Sequence, residues 1–211
     1  MSLASVLIVE DDRFSRTTLA ASLSMLGFLV CGAAGDAASA IEIAKTQAPE
    51  VCLLDLDLGP GPTGVDIAWA IREFSPQIGI VFLSSILDPR LSASGARPLP
   101  PGSIYLTKGS LGNLEALTSR ILQAKFSPLA NTPQLSKLEG LSSHQLSILR
   151  AVALGETNAE IARAQGITEK AVERTLARLA KSLGIVRTGS VNARVQLVRE
   201  YAALTGKPLP G

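Results

Sequence analysis

Four short apolar runs of this 211-residue chain end in groups able to do chemistry. Glu10-Asp11-Asp12 closes Val6-Leu7-Ile8-Val9, Asp55 closes Val51 to Leu54, Ser84-Ser85 closes the run from Ile78, and Lys108 follows Ile104-Tyr105-Leu106. Carboxylates crowded on one rim repel each other, and a hard divalent cation with oxygen ligands relieves the repulsion; Mg2+ with several retained waters is the usual choice. One carboxylate is then free to act as nucleophile. Asp55, at the end of the central run, is the candidate, because a cation there can bridge it to an incoming phosphoryl group. Ser84 can donate to a phosphoryl oxygen, and Lys108 can neutralise the charge that develops.

Five near-uninterrupted apolar runs, at 5–9, 28–31, 51–55, 78–83 and 103–106, have the pattern of strands buried on both faces of a parallel sheet. Between and after them, helical periodicity predicts helices at 13–26, 36–47, 64–74, 88–95 and 110–125, the fourth short because Pro98, Pro100 and Pro101 lie close behind it. Repeated βα units give an α/β, doubly wound, five-stranded parallel sheet. Ligands bind such sheets at the carboxyl ends of the strands, where the seven residues above stand.

Taken together, the first 125 residues resemble a response-regulator receiver domain. The matches are Val9-Glu10-Asp11-Asp12 for the acidic pocket, Leu53-Leu54-Asp55 for the phospho-acceptor, Ser84 for the switch hydroxyl, and Tyr105-Leu106-Thr107-Lys108 for the switch aromatic and the lysine. The resemblance implies that Glu10, Asp11, Asp55 and the backbone carbonyl of Asp57 hold Mg2+. It further implies that Asp55 takes a phosphoryl group from a sensor histidine kinase, and that Ser84 and Tyr105 transmit the change.

Several positions depart from the family. Gly64 stands nine residues after Asp55 where eight is usual, so one residue is inserted beside the cation site; Asp57 adds a carboxylate where many receivers carry Asn; and Gly109 follows Lys108 where Pro is commonest. The altered fourth helix falls on the surface the family uses to dimerise, so the homodimer is a family expectation this chain has modified. An enzyme reading competes: Asp55-Leu56-Asp57-Leu58-Gly59 also resembles the nucleophile motif of haloacid-dehalogenase-type phosphatases, whose second Asp protonates the leaving group. Those enzymes need an acidic pair after their lysine, whereas Lys108 is followed only by the isolated Glu115 and Glu139 in the same stretch.

The charge changes sign along the chain. Through residue 136 there are nine Lys/Arg against twelve Asp/Glu, and beyond it eleven against six. An acidic half is thus tethered, through the Pro- and Ser-containing stretch 126–137, to a basic half suited to a polyanion. From Leu141 the pattern is wholly helical, with helices at 142–154, 158–164, 168–183 and 190–205. Capping boxes Ser142–Gln145 and Thr157–Glu160 start the first two, and Thr168 caps the third. Ala162, Gly166 and Val172 suit the crossing, the turn and the packing of a helix-turn-helix. The first domain is therefore followed by a small all-α helix-turn-helix domain at 138–205, with a tail at 206–211.

This second segment resembles a LuxR-type DNA-binding domain through Leu141-Ser142, Leu154 to Ala162, and Lys181-Ser182-Leu183-Gly184-Ile185. Gln145 replaces the family's Glu, and Val172-Glu173-Arg174-Thr175 stands where Val-Lys-x-His is usual. The resemblance places the second helix of the motif in the major groove of promoter double-stranded DNA. Lys170, Arg174, Arg178 and Lys181 are candidate contacts on it, and Arg163 and Arg187 candidate phosphate clamps. His144 reads as an ordinary first-turn residue. Capture of a protein partner by these helices is the alternative output.

Composition sets the outer limits. With 46% hydrophobic and 18% charged residues the chain is a folded type, and with 4% aromatics it lacks the stacking surface of single-strand binders. Apolar runs are far too short for a membrane span, and the N-terminus lacks the basic start of a signal peptide, which predicts a cytoplasmic protein. Cys31 and Cys52 read as small buried hydrophobes, and Trp69 as packing beside Ile67 and Ile71.

Overall fold

The computed structural model describes residues 2–92, 97–110, 114–130, 138, 140–185 and 192–206. The chain divides into two compact units, Met1–Ser85 with Ser92–Gln134, and Ile86–Leu91 with Leu135–Gly211.

In the first unit five strands, β1 (Ser5–Val9), β2 (Leu29–Ala34), β3 (Val51–Leu54), β4 (Gly79–Ser84) and β5 (Ile104–Thr107), form one parallel sheet in the order β2-β1-β3-β4-β5. Every residue of β3 and β4 is buried, as their unbroken apolar sequences require for strands covered on both faces. The order reverses between β1 and β3, so the crevice above their carboxyl ends is the switch point of the sheet. Alternate residues feed two cores. Val6, Ile8, Leu53, Val81 and Leu83 pack with Leu23 of α1 (Arg13–Met25) and with Leu117, Ile121 and Ala124 of α4 (Leu114–Phe126). Residues of opposite parity face α2 (Ala37–Gln47) and α3 (Gly64–Phe74).

Helix starts are fixed locally. Asp12 accepts from the Ser15 amide at 2.7 Å, Asp36 from the Ser39 amide at 2.9 Å, and Thr63 forms a reciprocal capping box with Asp66. Asp12 is thereby used as a cap, with its carboxyl held below the usual range by its bonds to Ser15.

Two expectations need correction. The helix expected over 88–95 is a single 3₁₀ turn, Pro89–Leu91: Asp88 accepts from the Arg90 amide, which tightens the chain into a turn, and prolines 98, 100 and 101 prevent a later restart. Residues 93–96 lie outside the described residues. Trp69 does more than pack: Ile67 and Ile71 are buried, but Trp69 is only half-buried, donates from Nε1 to the Pro98 carbonyl at 2.9 Å, and carries the Arg97 guanidinium 5.1 Å from its ring centre.

The second unit holds α5 (Ser143–Ala153), α6 (Asn158–Gln165), α7 (Glu169–Ser182) and α8 (Ala193–Thr205). Both expected capping boxes form, and Thr168 accepts from the Ala171 amide. Gly166 takes φ +65, the left-handed C-cap that an L side chain disfavours, and the Ile167 amide then returns to the Ala162 carbonyl at 3.0 Å. Ile161, Ala162 and Val172 are buried at that corner, which makes α6–α7 a helix-turn-helix. Arg194 of α8 pins the start of α6 by donating to the Asn158 side chain and the Glu156 carbonyl. Ile86–Leu91 belongs to this unit as well: the Leu87 amide donates to the Leu204 carbonyl at 2.7 Å, and Arg90 to the carbonyls of Leu141 and Leu138. Among the described residues no helix is long and apolar enough to cross a membrane.

Candidate functional site

The carboxyl ends of β1, β3 and β5 deliver Glu10, Asp55 and Lys108 to one point. The Lys108 ammonium donates to both Glu10 oxygens, at 3.0 and 2.7 Å, and to Asp55 Oδ2 at 2.9 Å. Glu10 is 3% and Asp55 9% exposed, so this three-group cluster sits in a medium where unpaired charge is costly. Two carboxylates share one ammonium. Burial, reinforced by the neighbouring Asp55, pushes the Glu10 carboxyl up despite Lys108. Burial alone would lower Lys108, but its bonds to Glu10 and Asp55 outweigh that and hold it above the ordinary lysine range.

Asp11 adds a third carboxylate, and one oxygen each of Glu10, Asp11 and Asp55 lies within 4.8 Å of the others. Such a set of hard oxygen donors fits a magnesium-type cation. Around it the backbone is tightly specified. The Leu56 amide donates to Asp55 Oδ1 at 2.6 Å, and the lengthened loop after β3 closes with the Gly64 amide on the Leu56 carbonyl at 3.1 Å. A Cβ on Gly64 would stand 1.9 Å from the Asp55 carbonyl oxygen, so only glycine allows α3 to start this close to Asp55. The inserted residue is absorbed by Gly59 and Gly61, at φ +78 and +118.

Of the other expected residues, Ser84 ends β4, paired in register with Thr107, and is buried; Tyr105 lies two residues earlier on β5 and is half-buried; Asp57 is half-buried in the loop. Sequence reasoning missed Arg16. One turn into α1 it donates to the carbonyls of both Glu10 and Asp11, at 3.1 Å for the latter, and so braces the loop that carries two of the three carboxylates. Its only signal was position, one turn beyond the N-cap Asp12.

The second unit presents its charges differently. Lys170, Arg174, Ala177 and Lys181 recur at four-, three- and four-residue spacing along the exposed crest of α7, with Arg178 and Glu173 on its two flanks. Val172, Thr175, Leu179 and Ala180 turn inward. Arg163 is exposed on α6, and Arg187 lies outside the described residues. No ion pair joins Lys170, Arg174, Arg178 or Lys181 to a carboxylate among the described residues.

Comparison with known proteins matches these two regions separately. Residues 6–94 match the response regulator receiver domain, and residues 139–199 match the bacterial regulatory proteins of the luxR family. The nitrate/nitrite response regulator protein NarL of Escherichia coli is 27% identical over 195 residues, 85% of this chain and 89% of that one. The transcriptional regulatory protein TdiR of Thauera aromatica is 28% identical over 156 residues, 71% of this chain and 67% of that one. A response regulator receiver protein from Sinorhizobium medicae, 26% identical, superposes with a TM-score of 0.50 over 58% of this chain and 94% of its own. The chain spans about half, 48%, of the solved PhyR from Bartonella quintana. With the parallel sheet, the acidic rim and the helix-turn-helix in place, these matches show that the chain is a response regulator of the NarL/LuxR type, a phosphorylation-switched receiver domain joined to a LuxR-type DNA-binding domain.

Proposed function

We propose that Asp55 is the phospho-acceptor and that its phosphorylation by a sensor histidine kinase governs occupancy of promoter double-stranded DNA by α7. The observation that carries this reading is the Lys108 ammonium held between Glu10 and Asp55, with the Asp11 carboxylate alongside. An oxygen of Asp55 attacks the phosphorus of a phosphohistidine; the P–N bond breaks as the P–O bond forms, and the imidazole leaves. Glu10, Asp11 and Asp55, with the backbone carbonyl of Asp57, are the ligands for Mg2+, which supplies charge neutralisation for the transferring phosphoryl group.

Each surrounding residue has a definable task. Arg16 fixes the Glu10 and Asp11 backbone. Lys108 exchanges part of its carboxylate bonding for a phosphoryl oxygen, to which Ser84 donates its hydroxyl, and the displaced β4 and β5 ends move Tyr105. The protein is a switch and not an enzyme: its own chemistry ends when Asp55 is modified. Lys170, Arg174, Arg178 and Lys181, with Arg163 and Arg187 as phosphate clamps, make the DNA contacts. Working boundaries are a receiver at 1–125, a linker at 126–137, a DNA-binding domain at 138–205 and a tail at 206–211, in a cytoplasmic protein that dimerises on paired half-sites.

Intact mass after incubation with acetyl phosphate and Mg2+ tests the reading. A single phosphoryl adduct is expected, absent when Mg2+ is omitted and absent in Asp55→Asn. An adduct of equal yield in Asp55→Asn would overturn it.

A further inference from the structure

The crest of α7 is flanked by two unlike grooves. On the α8 side the lining is mostly apolar, with Leu176, Ala180, Ile185, Ala193 and Leu197, and its charged members are Glu173, Lys181 and Arg194. Glu173 opposes a phosphate there, and the Arg194 guanidinium is already spent on the Asn158 side chain and the Glu156 carbonyl. On the α5 side a recess of about 770 Å³ is bounded by Arg174 and Arg178 of α7 and by His144 and Gln145 from the first turn of α5. No carboxylate lines it.

Two of the departures from the LuxR pattern meet in that recess. Gln145 stands where the family carries Glu, and Thr175, also in the lining, where it carries His. Gln145 still closes the capping box, accepting from the Ser142 amide through Oε1 at 2.8 Å, which leaves its amide NH2 as a donor where a glutamate would bring a full negative charge. His144 is the only histidine of the chain and is exposed. The backbone of α7 takes the Nε donors of Arg174 and Arg178, to the carbonyls of Lys170 and Arg174. Both side chains are exposed.

Resting on the assignment of α7 as the recognition helix, we propose that this recess is a clamp for one strand of the duplex: a backbone phosphate seats between His144, the Gln145 amide, Arg174 and Arg178. A helix in the major groove meets bases along its crest and a phosphate wall on each flank. Here the α5 flank carries two arginines and no carboxylate, whereas the α8 flank sets Glu173 against Lys181, so the grip on the two strands is unequal. Arg174 and Arg178 are thereby committed to phosphate, and base reading falls to Lys170, Ala177 and Lys181. The groups facing His144 across the recess are the two guanidiniums of α7; those beside it on α5 are neutral.

The test is fluorescence anisotropy of the full chain, treated with acetyl phosphate and Mg2+, on a random-sequence duplex across a salt series. His144→Ala, Gln145→Glu and Lys181→Ala are compared with wild type. His144 and Lys181 are exposed, and Glu at the half-buried position 145 preserves the capping box, so unchanged thermal midpoints are expected. His144→Ala should weaken binding about threefold, through loss of one donor to the phosphate. Gln145→Glu should weaken binding about threefold to tenfold, because it sets a carboxylate against the phosphate, and the loss should shrink as salt screens that charge. If Lys181→Ala weakens binding while the other two keep the wild-type affinity, the clamp is wrong and DNA binding by α7 stands. If wild type binds no duplex even at low salt, the DNA assignment falls and the clamp with it.

Discussion

The rim of the first unit and the crest of the second are both built from charged side chains, yet they solve opposite problems. At the rim, Glu10 and Asp55 are buried and balanced by Lys108, within 2.7 and 2.9 Å. On α7, basic groups stand exposed with no ion pair to a carboxylate among the described residues, and their attraction is left for a partner. A buried, balanced site must be held together by its fold, so damage there is felt as stability and chemistry together. An exposed, unbalanced site is held by helix packing behind it, so damage there is felt as affinity alone, and salt screens it.

The largest effect that would sharpen this contrast is steric. Gly64→Ala puts a Cβ against the Asp55 carbonyl, where 1.9 Å is available, and must displace either the start of α3 or the acceptor loop. A loss of about 3 kcal/mol in urea unfolding is expected, with phosphoryl adduct formation strongly slowed. A variant that keeps both wild-type stability and wild-type adduct yield would show that the rim does not depend on this close approach.

Lys108→Ala comes next. It leaves the Glu10 and Asp55 carboxylates buried without their shared ammonium, at an expected cost of about 1–3 kcal/mol. The distinguishing observation is metal dependence. A cation bound by the same carboxylates restores the missing positive charge, so added Mg2+ should raise the thermal midpoint of Lys108→Ala more than that of wild type. Equal shifts would mean that lysine and cation do not share these oxygens.

What could be read in advance follows the same division between local and assembled features. The sheet was legible because strands buried on both faces must be almost wholly apolar, as β3 and β4 are, and the helix starts because Ser142, Thr157 and Thr168 act within three residues of themselves. Boundaries slipped where sequence is permissive: β2 runs on through Gly32-Ala33-Ala34, where pairing with β1 and not propensity sets the strand. The fourth receiver helix failed because Asp88 and the following prolines favour a turn over continued helix. Asp55, Glu10 and Lys108 were found because strand ends place them. Arg16 was not, because its partners are backbone carbonyls, which every residue possesses. The recess of α7 was invisible for a different reason: it exists only once α5 lies beside α7, thirty residues away in sequence.

On the crest, Arg178→Ala should leave the unfolding free energy within about 0.5 kcal/mol of wild type, since its side chain is exposed and supports nothing buried. Affinity for any duplex should fall about threefold to tenfold, uniformly across sequences, with the salt slope reduced by about 1. Destabilisation comparable to that of Lys108→Ala would break the comparison, because it would make the crest a structural element and not a waiting surface.

The smallest effect probes a charge pair that belongs to neither extreme. Glu50, ahead of β3, accepts from the Ser5 amide at 2.8 Å and meets the Lys125 ammonium at 2.9 Å, with its side chain partly open to water. The Ser5 amide first and Lys125 second hold its carboxyl below the ordinary range. A carboxyl lowered in the folded state binds protons more readily in the unfolded chain. Its contribution is therefore fully present above the unfolded value, about 4.3, and disappears as pH falls through the lower folded value. Because the pair is solvent-screened, Glu50→Gln should cost only about 0.5 kcal/mol at pH 7, the amide still accepting from Ser5, and this difference from wild type should close as the pH is taken below about 4. A difference that stays constant from pH 7 to pH 3 would assign the effect to packing and leave the charge of Glu50 without a role in holding the first unit together.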